Sequence, residues 1–214
     1  MTSLFQFRPG VEFSPNLDFG CVLIRGINHS DLKCRILIEK DAAFELLRRQ
    51  SDRLRNNIQQ YSEYFETNGH KNPIAHQLKA VLKQGFSTVN PLVDTLLIVE
   101  MTTGHLMGVQ DWSKVEGQLL YDLASEGEAF DGMRKRIVCH AGDVVLRDDK
   151  GIIASYFQGP DSRTQVNNET TDVIFFAFSA PGIEGSSLKT SLERAAELCD
   201  PSGSRCEFAV LSPM

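Results

Sequence analysis

Residues 90–111 read NPLVDTLLIVEMTTGHLMGVQD, and the part up to Gly104 has the pattern of a helix. Asn90 supplies a side-chain oxygen that can cap free backbone N–H groups, and Pro91 fits a first helical position because that position needs no N–H donor. Asp94 falls in the first turn, where the positive end of the helix dipole favours a carboxylate. The residues expected to face the core are Leu92, Val93, Leu96, Leu97 and Met101. The stretch therefore predicts a buried helix that Gly104 ends.

Two more helices are predicted upstream of this stretch. One begins at the pair Asn72-Pro73 and ends at Gly85. The other is longer, with Asp41 as its N-cap and Asn68-Gly69 as its stop. Its apolar residues recur at helical spacing: Phe44, Leu47, Leu54, Ile58, Tyr61 and Phe65. Recurrence at steps of three, four and seven keeps these side chains on one stripe, so this helix is expected to pack on a core.

Strands are predicted on both sides of the helices. Before them, residues 21–27 and 35–38 are short apolar runs separated by the turn-like segment NHSD. After them, residues 119–123, 143–147, 152–157 and 172–178 have strand character, and DDKG at 148–151 predicts a hairpin. Ser187 is expected to cap a last helix, and residues 206–211 to return as a strand. Without a linker or a repeat, the chain is predicted to form one α+β domain over residues 1–214.

Composition excludes several classes of protein. The chain has 214 residues, a net charge of −6, 42% hydrophobic and 23% charged residues, which is the balance of an ordinary globular protein. No apolar run is long enough for a membrane span, and MTSLFQFRPGVEF at the N-terminus lacks the pattern of a secretion signal. Five cysteines without CxxC spacing favour reduced thiols and a cytoplasmic location. The acidic balance argues against broad, sequence-blind binding of nucleic acid.

Motifs of common enzyme chemistry are missing from the sequence. No phosphate loop, dinucleotide fingerprint or serine elbow is present, and the five histidines have no metal-ligand spacing, so neither a metal nor a cofactor is expected. Cys139 in IVCHAGDVV is interpreted as a buried small hydrophobe rather than a nucleophile. His105, beside Gly104, is interpreted as a solvated loop residue rather than a proton-transfer group. Residue types alone therefore identify no active site.

An ordered series of segments points to a known family. After residues 90–111 come LASEGEAFDG at 123–132, GDVVLRDDKGIIASYFQG at 142–159, DSRTQV at 161–166 and TTDVIFF at 170–176. The series resembles the B3/B4 domain of the phenylalanyl-tRNA synthetase beta chain and, more closely, the free-standing single-domain proteins of that family. Residues 41–180 are expected to form the B3/B4-like region, with 1–40 and 181–214 as terminal extensions of the same domain.

The resemblance implies a fold and an activity. The fold is α+β, with a central, mostly antiparallel sheet, helices packed on it and a pocket between them. In the synthetase this domain hydrolyses the ester of a tRNA that carries tyrosine in place of phenylalanine. Such a site has to hold a water beside the ester carbonyl and to place donors where oxyanion charge develops.

Three polar positions of the synthetase pocket are changed in this chain. The synthetase histidine falls on Gly108, its helical asparagine on Leu97, and the glutamate that reads the tyrosine hydroxyl on about Phe176. A pocket built this way is more apolar, and nothing at these positions can hydrogen-bond a phenol. An amino acid less polar than tyrosine is therefore expected.

The remaining pocket candidates are polar, and each has a structural alternative. Asn90 and Asp94 could act only as helix caps, and Asp111 could only anchor the turn into Trp112. Glu128 could be a turn residue or lie at a strand edge. The loop Ser162-Arg163-Thr164 presents an arginine that could bind a phosphate or a carboxylate bidentately, or simply lie on the surface.

Two basic clusters are the candidates for contact with RNA: Arg48, Arg49, Arg53 and Arg55 in the long helix, and Arg134-Lys135-Arg136 before a strand. A solvated helix face is the alternative for the first cluster.

Two functions remain open at this stage. The first is an editing factor that acts in trans, without metal or cofactor, on a mischarged aminoacyl-tRNA. The second is a binding module for a tRNA end or a free amino acid that has lost the chemistry, which the three changed positions favour. Weak tRNA binding and no membrane partner are expected in either case, and the oligomeric state and the amino acid are left open.

Overall fold

A computed structural model describes residues 17–49 and 51–211 of the chain, and in this part the predicted α+β class is confirmed. The N-terminal segment that was examined for a secretion signal lies outside these residues. The helices are α1 (His29–Arg49), α2 (Asp52–Thr67), α3 (Pro73–Gln84), α4 (Pro91–Thr103) and α5 (Gly185–Cys199). The strands are β1 (Phe19–Ile24), β2 (Leu106–Asp111), β3 (Leu120–Leu123), β4 (Ala129–Asp131), β5 (Arg136–Val138), β6 (Val144–Asp148), β7 (Gly151–Ser155), β8 (Gly159–Pro160), β9 (Val173–Phe178) and β10 (Cys206–Leu211).

The strands form two antiparallel four-stranded sheets and a separate hairpin. The first sheet has the order β10-β1-β9-β2, and the second has the order β3-β6-β7-β8. Strands β4 and β5 pair only with each other. Because β2 pairs only with β9, it is an edge strand whose second side faces other parts of the molecule.

Helices cover one side of the first sheet, and the second sheet contributes to the same core. Helix α5 contacts β1 and β9, and α4 contacts β2. Between the sheets, the ring of Phe19 stacks on Tyr121 with centroids 4.7 Å apart. Burial of such rings is a large part of what stabilises a core of this kind. One apolar core therefore joins the helices and both sheets.

The predicted caps of α3 and α4 are confirmed. Asn72 Oδ1 accepts the N–H of Ile74, and Asn90 Oδ1 accepts that of Leu92, each at 2.9 Å. Gly104 ends α4 with φ +74°, a left-handed conformation that a side chain disfavours. This cap turns the chain directly into β2, so it sets the position of that edge strand.

The predicted strand at residues 35–38 is wrong, because these residues lie inside α1. The buried residues of α1 include Leu32, Ile36, Ala43 and Leu47, which recur at steps of four and seven and so define a helical face. Leu37 and Ile38, which made the segment look like a strand, are exposed.

The predicted long helix is two helices, and two predicted caps are wrong. Asp41 lies within α1, and a new helix starts after Ser51, whose hydroxyl accepts the N–H of Leu54 at 3.2 Å. Helix α5 begins at Gly185 after Glu184, two residues before the expected cap Ser187.

The strands predicted after the helices are confirmed to within a few residues, and so is the hairpin between β6 and β7. Strands β2, β4 and β8 were not predicted, whereas β5 lies where a strand was expected after the cluster Arg134-Lys135-Arg136. No helix in the described part of the chain combines the length and the apolar character that a membrane crossing needs.

Candidate functional site

A cavity of about 320 Å³ lies along the open edge of β2. It is enclosed by α3, α4, the β8 segment and the chain around residue 165, and the tip of the β4–β5 hairpin reaches its rim through Met133. Its apolar lining residues include Val93, Leu96, Leu106 and Val166. We call it the β2 cavity. Its size and apolar walls are typical of a site for a small organic group.

The backbone of β2 contributes directly to this cavity. The Met107 N–H donates to the Glu100 carboxylate at 3.0 Å, and the Asp111 N–H donates to the Thr164 carbonyl at 2.7 Å. Both donors therefore point away from β9. In an antiparallel pair such outward groups recur at every second residue. The peptide groups of Val109, midway between the two, accordingly face the cavity.

Glu100, in the last turn of α4, is the one ionisable residue among the described lining residues. It is 5% exposed, and burial raises the pKa of its carboxyl to about 8, although the Met107 N–H opposes the shift. A second cavity of about 370 Å³ between α3 and α4 also reaches Glu100 and includes Leu97. Burial of a carboxyl with a raised pKa in a cavity makes Glu100 a candidate for proton transfer or binding.

Two glutamine residues, Gln110 and Gln77, are also among the residues that line this cavity. Gln110 is fully buried, and its Nε2 donates to the Ile153 carbonyl of β7 at 2.8 Å. Its Oε1 and the Oε1 of Gln77 on α3 are buried without a partner among the described residues. Neither glutamine was singled out from the sequence.

Gly108 lies on the cavity wall opposite Phe176 in the β2–β9 register. A methyl group added at Gly108 would lie 2.1 Å from Cζ of Phe176. The Phe176 ring thus fills the space of a side chain at position 108. Gly108 and Phe176, two of the three positions that differ from the synthetase, are therefore in steric contact. Gly108 contributes only backbone atoms to the cavity.

Asn90 and Asp94 are held in structural contacts away from the described lining of the β2 cavity. Asn90 caps α4 and also donates from Nδ2 to Asn168 Oδ1 at 2.9 Å. Asp94 accepts from Lys40 Nζ at 2.7 Å and from the Val89 N–H at 3.0 Å. A third cavity, of about 330 Å³ beside α1, includes Asp94.

The carboxylates of Asp111 and Glu128 also accept hydrogen bonds from other residues of the chain. Asp111 accepts from Ser113 and from Thr170 Oγ1, the latter at 2.8 Å, and these donors with Lys114 lower the pKa of its carboxyl against the effect of burial. Glu128 accepts two hydrogen bonds from Arg147, at 2.7 and 3.1 Å.

The loop at residues 161–164 is a rigid structural element. Arg163 donates to both carboxylate oxygens of Asp148, each at 2.9 Å. Thr164 bonds the Asp161 carboxylate, and Ser162 donates from its backbone N–H to the Asp131 carbonyl at 2.8 Å. These contacts fix the loop that borders the cavity.

The two basic clusters differ in their distance from the β2 cavity. Arg134, Lys135 and Arg136 directly follow Met133 at the rim, and all three are exposed. Arg53 instead lines a small cavity near His105, on another part of the surface. Arg48 and Arg55 form exposed ion pairs with Glu45 and Asp52, and Arg49 ends α1.

His105 is buried rather than solvated, so its sequence-based interpretation is wrong. Asn57 Nδ2 donates to His105 Nε2 at 3.1 Å, and His105 Nδ1 lies 2.5 Å from Ser191 Oγ. Burial lowers the pKa of His105 to about 4, which keeps the ring neutral. Cys139 is buried as expected, with its thiol pKa raised to about 11. No group of three His, Cys, Asp or Glu residues within the described ranges could hold a metal ion.

Two curated proteins are similar to part of this chain. A phenylalanine–tRNA ligase beta subunit from Corynebacterium diphtheriae is 32% identical over 102 residues, which cover 46% of this chain and 12% of that protein. The corresponding subunit from Mycoplasma genitalium is 30% identical over 96 residues, or 44% of this chain and 12% of that protein. The chain thus matches only a small part of these relatives.

A solved structure and a family model complete the comparison. An N-terminal fragment of the phenylalanyl-tRNA synthetase beta subunit from Pyrococcus horikoshii aligns with a TM-score of 0.46 and 12% identity, covering 57% of this chain and 43% of that chain. The model of the B3/4 domain matches residues 66–198, a range that contains α3, α4, β2 and the β2 cavity. Since the match extends over more than half of its length, the chain belongs to the B3/4 domain family.

Proposed function

We propose that the chain hydrolyses the ester of a mischarged aminoacyl-tRNA in trans, with the aminoacyl group bound in the β2 cavity. The observation that carries the proposal is the combination of Glu100 and the Val109 peptide in one apolar cavity at a strand edge. Similarity to a subunit of a tRNA ligase supports a tRNA-linked substrate. The five free cysteines fit the cytoplasmic location that such a substrate requires.

The proposed reaction needs a base and an oxyanion donor. Glu100 takes a proton from a water whose oxygen attacks the ester carbonyl carbon. The N–H of Val109 donates to the oxyanion that forms, which backbone N–H groups do efficiently in a dry site. The bond between the carbonyl carbon and the ribose oxygen then breaks, and Glu100 returns the proton to that oxygen. A pKa near 8 makes the deprotonated carboxylate a stronger base than an ordinary glutamate.

The walls of the cavity favour an apolar amino acid. Val93, Leu96 and Leu106 line it, and the position that reads the tyrosine hydroxyl in the synthetase is occupied by the buried Phe176. Against these three side chains a polar group would lose its hydration without a compensating partner. We therefore propose an aliphatic or other apolar amino acid in place of tyrosine.

The tRNA backbone is proposed to approach over the β4–β5 hairpin. Arg134 and Lys135 lie at its tip beside Met133, at the rim of the cavity, where they could neutralise phosphates near the 3′ end. With a net charge of −6, this local contact is expected to be weak and sensitive to salt.

The test is deacylation of a panel of mischarged tRNAs by the wild type and by Glu100→Gln. We expect loss of ester with at least one apolar amino acid, a rate that rises with pH up to about 8, and a decrease of about 10²- to 10⁴-fold in Glu100→Gln. Glu66→Gln, which changes an exposed carboxyl on α2, is the matched control and should retain the rate. Absence of acceleration with every tRNA would overturn the proposal.

A second candidate is a binding module without chemistry. It is favoured by the Phe176 ring, which closes the position that carries a histidine in the synthetase. Thermal unfolding with free apolar amino acids separates the two functions, since a ligand that prefers the native state raises the unfolding temperature. A shift with an amino acid, together with inert aminoacyl-tRNA, would favour binding alone.

A further inference from the structure

The cavity of about 330 Å³ beside α1 has no lining residue in common with the β2 cavity among the residues that the structure describes. One of its walls is a single face of α1, because the lining residues recur at helical steps of four, three and four: His29, Lys33, Ile36 and Lys40. The opposite wall comes from the loop before α4 and from the first turn of α4. We call it the α1 cavity, and its volume lies in the range of sites for small molecules.

A buried ion pair holds the two walls of the α1 cavity together. Lys40 Nζ on α1 donates to Asp94 Oδ2 on α4 at 2.7 Å. The same amine donates to the Ser87 carbonyl and to Thr88 Oγ1, at 2.8 and 2.9 Å. Asp94 in turn accepts the Val89 N–H at 3.0 Å, and its side chain is 4% exposed against 10% for Lys40. The walls are therefore fixed before a ligand binds, and the charges of this pair compensate each other.

Exposed apolar side chains lie on both walls of the α1 cavity. Leu37 on α1 is 54% exposed, and Val89 in the loop before α4 is 71% exposed. The buried Ile36 and the half-buried Pro91 continue the apolar lining. Large apolar side chains left in water around a cavity are typical of a binding site, because a ligand that covers them removes apolar surface from water. The lining therefore favours a ligand with an apolar body.

The accessible charge of the α1 cavity belongs to Lys33. This lysine is exposed, and it forms no ion pair with any other residue that the structure describes. Ser30, three residues earlier and so its neighbour on the helix surface, also lines the cavity and adds a hydroxyl donor. An ammonium and a hydroxyl are donors that suit one carboxylate. The buried carboxylate of Asp94 is not accessible to an ammonium group of a ligand.

We propose that the α1 cavity binds a small organic monocarboxylate that has an apolar body and no amino group. Its carboxylate accepts from Lys33 and Ser30, and its apolar body covers Leu37, one turn further along α1, and Val89 on the opposite wall. A free amino acid of the same skeleton is rejected, because its ammonium group would lose hydration beside Lys33 without a partner. This site is separate from the β2 cavity, and its ligand does not depend on the hydrolysis of aminoacyl-tRNA.

The binding experiment uses 3-phenylpropanoate and 4-methylpentanoate, each titrated into the full chain by calorimetry. The amino acid of the same skeleton, phenylalanine or leucine, and the corresponding alcohol are then tested as competitors, so that binding of an amino acid elsewhere does not interfere. We expect each competitor to need at least about tenfold the concentration of the acid, since it lacks the charge-assisted contact or adds an unpaired charge. Absence of binding by both acids, or displacement by an equal concentration of either competitor, would overturn the proposal.

Two variants separate the charged part of the site from the apolar part. Lys33→Gln should remove the advantage of the acid over the alcohol, whereas Leu37→Ser should weaken both by roughly threefold and preserve their ratio. Lys79→Gln is the matched control, because this lysine is also exposed on a helix and does not line the cavity. Far-ultraviolet circular dichroism confirms that each variant is folded. Unchanged affinity for the acid in the folded Lys33→Gln variant would place the ligand elsewhere and contradict the assignment.

Two further measurements separate this proposal from its alternatives. N-acetylphenylalanine carries the same chemistry as the C-terminus of a peptide, and tighter binding of this compound than of 3-phenylpropanoate would overturn the assignment to a small free acid. Deacylation of aminoacyl-tRNA without binding of either acid would overturn this proposal and leave the hydrolase standing. Binding of an acid through Lys33 without any deacylation would overturn the hydrolase and support this proposal.

Discussion

Asp148 and Glu100 are both buried carboxylates, and they differ in the donors around them. Asp148 accepts from Arg163 and from the backbone N–H groups of Glu116, Lys150 and Gly151. Glu100 accepts from a single backbone N–H, that of Met107, and faces two cavities. A carboxylate that accepts several hydrogen bonds holds loops together. A carboxylate that accepts only one can still bind a ligand or a proton. The comparison separates a carboxylate that holds loops together from the one that we propose takes part in the chemistry.

Removing the donors of Asp148 should have the largest effect on stability. Arg163→Leu leaves a fully buried carboxylate without its charged partner, and we expect unfolding free energy to fall by about 3 kcal/mol. Urea unfolding measures the change. Lys189→Met, which removes an exposed ion pair with Glu193 on α5, should change stability by less than about 1 kcal/mol. Similar losses for the two variants would contradict the structural role of Arg163.

A substitution at Gly108 tests whether the cavity wall is packed as tightly as the region around Asp148. Gly108→Ala forces a methyl group against the Phe176 ring, so we expect a loss of about 2–3 kcal/mol from overpacking. Phe176→Leu should make the added methyl group less costly, so the double variant should be more stable than the sum of the two single effects predicts. Strict additivity in chemical unfolding would show that the two positions are not coupled.

The raised pKa of Glu100 predicts an unusual dependence of stability on pH. The pKa is about 8 in the folded chain and near 4.5 in the unfolded chain, so between these values the folded state holds the extra proton and stability falls as pH rises. Below pH 6.5 the lowered pKa of His105 makes stability rise with pH, because there the unfolded state binds the proton and the folded state does not. From pH 6.5 to 8 the Glu100 contribution alone amounts to about 2 kcal/mol.

Glu100→Gln isolates this contribution. The variant should lose the decline between pH 6.5 and 8, because glutamine does not titrate and its amide oxygen can still accept the Met107 N–H. Unfolding curves at half-unit steps of pH make the comparison. An identical decline in wild type and variant would show that Glu100 has an ordinary pKa.

Much of the fold could be predicted from local signals, and the errors have physical causes. The Asn-Pro pairs that begin α3 and α4 and the glycines that end them act through local capping contacts. The boundaries predicted for these helices were therefore correct. The run at residues 35–38 was too short to separate a strand from one turn of a helix, and burial at Ile36 favours the helix. Strand β2 lacks a strand pattern because all six of its residues are buried, including polar Gln110.

The candidate site was harder to predict, because its polar groups lie within apolar segments. Gly108 was identified through the family resemblance and lies on the cavity wall. Glu100 stood in the apolar run LLIVEM, where a lone carboxylate was the available signal and was overlooked. Gln110 gave no such signal, because whether a glutamine oxygen lacks a partner depends on the register of β2 against the second sheet.

The smallest effect is expected at the rim, where charge acts through solvent. Reversal of Arg134 and Lys135 to glutamate should weaken tRNA binding and lower the slope of log affinity against log salt by roughly one to two, because two phosphate contacts are lost. Reversal of Arg48 and Arg49 is the matched control: both lie in the last turn of α1, and Arg48 already pairs with Glu45. An unchanged slope at the hairpin with a reduced slope at α1 would move the RNA contact to the helix. The exposed Arg134 and Lys135 would act through their position beside the cavity, whereas Asp148 acts through the hydrogen bonds that it accepts.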